Sequence, residues 1–327
     1  MSEKVIRIGT RASQLAQWQA TWCANRLESC GIPVEVVLIS TSGDKIAPDL
    51  RTLLPAANVT QGIFTKEIQN ALLDGRVDLA VHSLKDLPTD SPTGLRFVAS
   101  PERGCVEDVL VLRKDFGAGV QSLRDLPNGT IIGTSSLRRR AQTMALAKRF
   151  EKSWELRGIR GNLNTRLAKL DSGEYDALIL ARAGVERLGW NERISLLLPL
   201  EDILPAVGQG AIALETREDD AETIACLKRS LNCDKTFRCV QAERDMLRAL
   251  QGGCSAPIGA LCTYSDGLFT LWGRVAAVDG RVILDKTRRD ADTSSLGKIL
   301  AEELLRDGAQ DLIREARDSA GEWSASV

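Results

Sequence analysis

One supersecondary pattern occurs twice in this chain, and that repetition restricts its possible folds more than any other feature. The first copy predicts a strand over Val5–Gly9, then Thr10-Arg11-Ala12-Ser13, then an apolar-periodic helix from Gln14 to Ser29. The second predicts a strand over Thr130–Gly133, then Thr134-Ser135-Ser136 and another helix. Farther on, Asp74-Gly75-Arg76-Val77-Asp78-Leu79-Ala80-Val81-His82-Ser83 is echoed by Ser172-Gly173-Glu174-Tyr175-Asp176-Ala177-Leu178-Ile179-Leu180-Ala181. Two βαβ-containing halves follow, so the fold class is α/β. Each Gly-Thr turn leads into a helix N-terminus. Backbone N–H groups and the positive end of the helix dipole there suit a carboxylate or phosphate.

Between these copies the pattern is a second strand over Pro33–Ser40, a long loop over 41–62 and a helix over Thr65–Asp74. Leu15, Trp18, Trp22 and Leu27 recur at helical spacing, which assigns both tryptophans to core packing. Strands over Leu95–Ser100 and Asp108–Leu112 flank an Arg103-Gly104 turn, and Gly208-Gln209-Gly210 turns into a strand that returns to the first half. After two helices near 221–231 and 236–250 come three alternating strands near 258–264, 268–276 and 281–288 and two terminal helices. This last part is a separate α+β unit.

The densest chemistry is Val81-His82-Ser83-Leu84-Lys85-Asp86-Leu87-Pro88. A short apolar strand ends there in an imidazole, a hydroxyl, an ammonium and a carboxylate, and Pro88 stops regular structure. Ligand chemistry in open α/β sheets collects at carboxyl ends of strands. A second concentration is cationic. Residues 130–195 hold thirteen Lys/Arg against seven Asp/Glu, an excess of six in a chain of net charge −1. Several of these arginines stand where strands end: Arg138 and Arg139, Arg160 and Arg166 around Gly161-Asn162, Arg182 and Arg187. Guanidinium grips carboxylates in a bidentate, orientation-fixing way. Third, Gly252-Gly253-Cys254-Ser255-Ala256-Pro257 bares one thiol at a loop tip, an attachment point or a nucleophile. Cys23, Cys105, Cys226, Cys239 and Cys262 are read as inert core residues.

Composition narrows the function classes. Aromatic residues are only 4% and net charge is near zero, which argues against a nucleic-acid partner. No run of about 18 apolar residues exists, so no membrane span is expected, and Met1–Arg7 does not read as a signal peptide. Eight cysteines without a C-x-x-C pair, and one histidine, fit neither a zinc site nor a disulfide framework. A reducing cytoplasm is the expected location.

Taken together, these residues resemble the porphobilinogen deaminase (hydroxymethylbilane synthase) family. The matching pieces, in the family's order, are Ile8–Ser13, Val81–Pro88, Gly133–Arg139, Arg160–Arg166, Pro205–Ala211 and Gly252–Gly259. The resemblance implies three domains: two periplasmic-binding-protein-like lobes with mixed sheets and flanking helices, and a C-terminal α+β domain with a three-stranded antiparallel sheet. Their expected extents are 1–101 with 211–228, 102–210, and 229–327. It implies a monomeric cytosolic enzyme that joins four porphobilinogens head to tail, releasing ammonia, on a covalent dipyrromethane cofactor held as a thioether by Cys254. By the same resemblance Asp86 is catalytic, stabilising the azafulvenium left when ammonia departs. Ser83, Lys85, Thr134, Ser135, Ser136, Arg138, Arg139 and Gln209 are assigned to the cofactor. Arg11, Ser13, Gln19, Arg160, Arg166 and Arg187 are assigned to the substrate. The loop Asn58-Val59-Thr60-Gln61-Gly62 departs from the family's usual Gly-Gly-Lys-Gly, so no substrate role is carried onto Gln61. The competing reading is a non-catalytic two-lobed receptor for an anionic small molecule.

Overall fold

Strand β1 (Ile6–Arg11) pairs in parallel with β2 (Val34–Ile39) on one side and β3 (Leu79–Ser83) on the other. The structure, a computed structural model, describes residues 4–40, 65–117, 119–253 and 256–325. Helix α1 (Gln14–Glu28) connects β1 to β2, and α2 (Lys66–Leu73) precedes β3. Ser13 caps α1, its hydroxyl accepting from the Ala16 N–H at 3.4 Å. The chain then forms β4 (Leu95–Ala99) and leaves for a second lobe.

That lobe contains β5 (Asp108–Leu112), β6 (Ile131–Gly133), α3 (Leu137–Arg149), β7 (Glu155–Arg157), α4 (Leu163–Asp171), β8 (Ala177–Ala181), α5 (Arg182–Arg187) and β9 (Leu196–Leu197). Strand β10 (Ile212–Arg217) returns to the first sheet, running antiparallel to both β3 and β4. The strand orders are β2-β1-β3-β10-β4 and β7-β6-β8-β5-β9. In each sheet the first three strands are parallel and the fourth is antiparallel to its neighbours. The repeat in the sequence is thus a repeat of topology. It also forces the chain to cross between lobes twice, because the fourth strand of the first sheet comes from beyond the second.

The crossings touch backbone to backbone. Gly104 N–H donates to Gly210 O at 3.2 Å, and Gly210 has φ +83°. A Cβ on Gly210 would lie 2.6 Å from Cys105 O, so only glycine lets the two segments meet.

Both sheets are covered on both faces, which is why their central strands read as nearly continuous apolar runs. Ile8, Leu79 and Val81 pack against Cys23 and Leu27 of α1, while Val77, Ala80 and Leu95 pack against Ile68 and Leu72 of α2. In the second lobe Leu110, Ile132 and Ile179 meet Leu146, and Val109, Leu178 and Leu180 meet Leu167 and Leu170. Burying one such side chain contributes about 1.5–3 kcal/mol.

After α6 (Ala221–Ser230), the third domain comprises α7 (Asp234–Ala249), the antiparallel strands β11 (Ile258–Ser265), β12 (Leu268–Ala276) and β13 (Ile283–Asp290), then α8 (Leu296–Arg306) and α9 (Ala309–Ala325). It is tied to both crossings by Glu243 of α7, which is fully buried. This carboxylate accepts from Arg103 at 2.6 and 3.1 Å, from Gly208 N–H at 2.8 Å and from Cys262 N–H at 2.8 Å.

Two expectations change. Trp18 is not core; it is 37% exposed, with the Arg187 guanidinium 5.6 Å from its ring centroid. Its face of α1 looks across to the second lobe, where Asn164 donates to Gln14 Oε1 at 2.9 Å. Cys105 and Cys226 are only half-buried, while Cys23, Cys239 and Cys262 are core. Among the described residues no helix is long and apolar enough to cross a membrane, and no group of His, Cys, Asp and Glu could hold a metal.

Candidate active site

The carboxyl end of β3 runs into a single turn of 3-10 helix, Leu84–Asp86. Leu84 is buried, and its N–H donates to Ala211 O at 3.0 Å, so the turn is anchored on the returning strand. Lys85 and Asp86 project from it; Asp86 is exposed and Lys85 half-buried. Just before them, Ser83 exchanges hydrogen bonds with the buried Gln19 of α1, at 2.9 and 3.3 Å.

Facing this turn is the N-terminus of α3. Ser136 caps it, accepting from Arg139 N–H at 3.4 Å, and Thr134, fully buried, accepts from Ser136 N–H at 3.2 Å. Ser135 is exposed, donates to Ile159 O and accepts from Ile159 N–H at 3.2 Å. Arg138 and Arg139, at the first turn of α3, do not point to solvent. Their Nη2 groups donate to the two oxygens of Asp108, at 2.8 and 2.7 Å, while Nη1 of each reaches a backbone carbonyl, Leu204 O and Ile179 O. Gln209 adds a third donor, Nε2 to Asp108 Oδ1 at 2.8 Å. Burial pushes the Asp108 carboxyl up, but the two guanidiniums outweigh it and hold it well below the usual carboxylate range. Burial likewise lowers Arg138, with Asp108 opposing.

Asp108 was missed by motif reasoning. A usable signal existed for its need of a partner, though not for which one: an acidic residue opening an otherwise apolar strand must be paired.

Arg166 completes the cluster. It sits on α4, after the Gly161 turn, where φ is +112° and a Cβ would come 2.7 Å from Thr165. Its Nε donates to Gly161 O at 2.9 Å. Burial pushes Arg166 down to about 10; Arg139 lowers it further and Asp86 pulls it back. Lys85 keeps some contact with solvent, yet its ammonium is ringed by protein. Burial pushes it down to about 8, against Asp86, and Arg139 and Arg138 act in the same direction as burial. So Lys85 and Asp86 from one lobe, and Arg138, Arg139, Arg166 and Asp108 from the other, share one electrostatic cluster.

The other sequence candidates lie around it. Arg11 and Arg160 are half-buried at the ends of β1 and β7 and engaged by neighbours. Arg187 is at the crossings, donating to Gly210 O at 2.7 Å. Cys254 and the loop with Gln61 lie outside the described residues.

Four cations against two carboxylates leave the cluster short of anionic partners. Lys85 feels that excess of cations in addition to its burial, which is the larger effect. A group whose folded pKa lies below its ordinary 10.5 penalises the fold while protonated, so its contribution to stability rises as pH climbs from about 8 to 10.5. Bound carboxylates should reverse the shift. Acylation of Lys85, followed by peptide mass spectrometry, should show half-maximal reactivity near pH 8 in ligand-free protein and at higher pH once an anion is bound. An ordinary lysine profile in ligand-free protein would contradict this geometry.

A dipyrromethane bearing the two carboxyl side chains of each ring fits such a cluster. Nε of Arg138 and Nε of Arg139 are buried donors without a partner, and Gln209 Oε1 is a buried acceptor without one.

Fold and site together define a two-lobed α/β protein in which cations from both lobes cluster beside one exposed acid, with a third domain docked on the crossings. The sequence model of "porphobilinogen deaminase, dipyromethane cofactor binding domain" matches residues 6–225, and that of "porphobilinogen deaminase, C-terminal domain" matches 237–306. Porphobilinogen deaminase of Gloeobacter violaceus is 46% identical over 318 residues, 96% of this chain and 94% of that one. The Chlorobaculum parvum protein of the same name is 42% identical, over 96% and 99%. Among solved structures, the methionine-binding protein MetQ aligns at 14% identity and a TM-score of 0.42, over 71% of this chain and 92% of that one.

The chain belongs to the porphobilinogen deaminase family. Its activity is that of a transferase of tetrapyrrole biosynthesis, hydroxymethylbilane synthase, with dipyrromethane as cofactor. The receptor reading finds no better support.

Proposed function

We propose that Asp86 is the catalytic carboxylate with which this chain joins four porphobilinogens head to tail, and that the cationic cluster holds the carboxylates of cofactor and substrate. The observation that carries this is the turn at the end of β3. It places one exposed acid beside Lys85, Arg139 and Arg166, where pyrrole carboxylates would be gripped. Cys254 would tether the dipyrromethane, which when bound would supply a nucleophilic pyrrole for chain growth.

Departure of ammonia leaves positive charge spread over the substrate ring and its N–H. Asp86, held on a short turn, would face that N–H. Open to water, such a charge interacts weakly; with the cleft filled and water excluded it acts at a much lower effective dielectric. Asp86 can also accept and return the proton lost when ring aromaticity is restored. Ser83, Lys85, Thr134, Ser135, Ser136, Arg138, Arg139 and Gln209 are proposed to hold the cofactor. Arg11, Ser13, Gln19, Arg160, Arg166 and Arg187 are proposed to hold incoming and added rings. A cytoplasmic, monomeric enzyme without a nucleic-acid partner belongs to the same proposal, and the near-zero net charge supports the last of these features.

The test is intact-protein mass. The wild-type chain should carry a covalent excess of two pyrrole units, and Cys254→Ser should be folded, unmodified and nearly inactive in a porphobilinogen consumption assay. The same adduct retained on another residue would overturn the tether.

A further inference from the structure

Lys85 and Asp86 stand on a turn of three residues, too short to hold its own shape. The returning strand anchors its start, and the third domain holds its downstream side. Leu84 and Leu87 flank the pair, are 1% and 2% exposed, and share a small core with Phe97 of β4, Ala213 of β10 and Val240 of α7. Over that core lies Arg244 of α7, itself 3% exposed, with its guanidinium 5.5 Å from the Phe97 ring centroid. Arg244 Nη1 donates to Leu87 O at 3.1 Å, and Nη2 donates to Pro88 O at 2.7 Å and Thr89 O at 3.1 Å. One helical turn on, Arg248 donates from Nη2 to Thr89 O at 2.6 Å and from Nε to Asp90 Oδ1 at 2.9 Å.

Three consecutive carbonyls immediately after Asp86 therefore converge on one buried cation. Successive carbonyls point in different directions in extended chain, so this convergence bends the segment. A planar fork with five N–H donors can hold that bend; a single ammonium cannot span it. The helix that supplies the fork ends at Ala249, five positions before Cys254 in the sequence.

We propose that Arg244 is a positioning residue for the reaction. It fixes the Leu87–Thr89 segment so that the Asp86 carboxylate keeps one aim, and Arg248 assists at Thr89. The inference rests on the role given to Asp86 above. A misaimed carboxylate loses transition-state stabilisation while ground-state contacts to the pyrrole carboxylates, made by other residues, persist.

The experiment is a double-mutant cycle on primer-loaded enzyme. Arg244→Lys keeps the charge and loses the fork. It should retain the covalent adduct and its KM while kcat falls by about tenfold. In an Asp86→Asn background the same substitution should change the rate by less than about twofold, because the aim no longer matters. A merely structural role predicts the same fractional loss in both backgrounds, and that result, with Asp86→Asn itself slow, overturns the clamp alone. Wild-type kcat in Arg244→Lys overturns it as well. Wild-type turnover in Asp86→Asn overturns the role of Asp86 and, with it, the purpose of the clamp. Should Arg244→Lys not fold, Arg248→Met, at a half-exposed position sharing the Thr89 carbonyl, runs through the same cycle. Its smaller loss, about threefold, should vanish when Asp86 is Asn.

Discussion

Asp86→Asn is expected to purify with its covalent adduct intact and to turn over at least about a hundredfold more slowly. The substitution keeps the size of the side chain and one acceptor oxygen, and Asp86 is exposed, so neither packing nor the turn should suffer. What disappears is the negative charge facing the ring that becomes cationic when ammonia leaves. Such a preorganised charge is worth roughly 3 kcal/mol once water is excluded, which is the hundredfold. Binding should hold, because the pyrrole carboxylates are assigned to Lys85 and the arginines. The decisive measurement is single-turnover porphobilinogen consumption at saturating substrate. A rate within about threefold of wild type would remove Asp86 from the chemistry.

Asp108→Asn should be the most destabilising polar change in the second lobe. Asp108 is fully buried and gives one oxygen to each of Arg138 and Arg139. Removing one member of a buried ionic cluster leaves the others uncompensated, at a cost of about 3–5 kcal/mol. Urea unfolding should show that loss, and the protein should carry little or no cofactor, since both guanidiniums lose the partner that orients them. The pH dependence has a definite sign. The folded-state carboxyl lies well below its ordinary 3.8, so its contribution is complete above that value and is lost only as pH falls toward the lower folded-state one. Wild-type acid stability should therefore exceed that of the variant, and the difference should shrink only in strong acid. Wild-type stability with a full adduct in Asp108→Asn would show that the two arginines are held by their carbonyl partners alone.

Much of this was legible in the residues because it is local. A strand, a Gly-Thr turn and a helix are encoded within a dozen positions, and their recurrence at Ile8–Ser13 and Ile132–Ser136 foretells two lobes of one topology. The Val81–Pro88 stretch announces its own chemistry, since four polar groups after an apolar strand have few uses other than a site. Strand alternation near 258–288 likewise predicts the antiparallel sheet of the third domain.

Pairings between distant segments were not legible. Arg138 and Arg139 read from sequence as ligands for a guest; the tertiary structure turns them first onto Asp108, Leu204 O and Ile179 O. Trp18 reads as core at helical spacing, yet the second lobe approaches that face of α1 and leaves it beside Arg187. Glu243 and Arg244 are adjacent on α7, and nothing in their neighbourhood says that one binds both crossings while the other holds the turn after Asp86. The physical reason is the same in each case. Periodicity records which face of an element is dry. A buried charge must instead find its partner wherever the packed chain brings one: for Asp108 and Arg138 the folding of the second lobe decides that, and for Glu243 and Arg103, or Arg244 and Leu87, the docking of the third domain does.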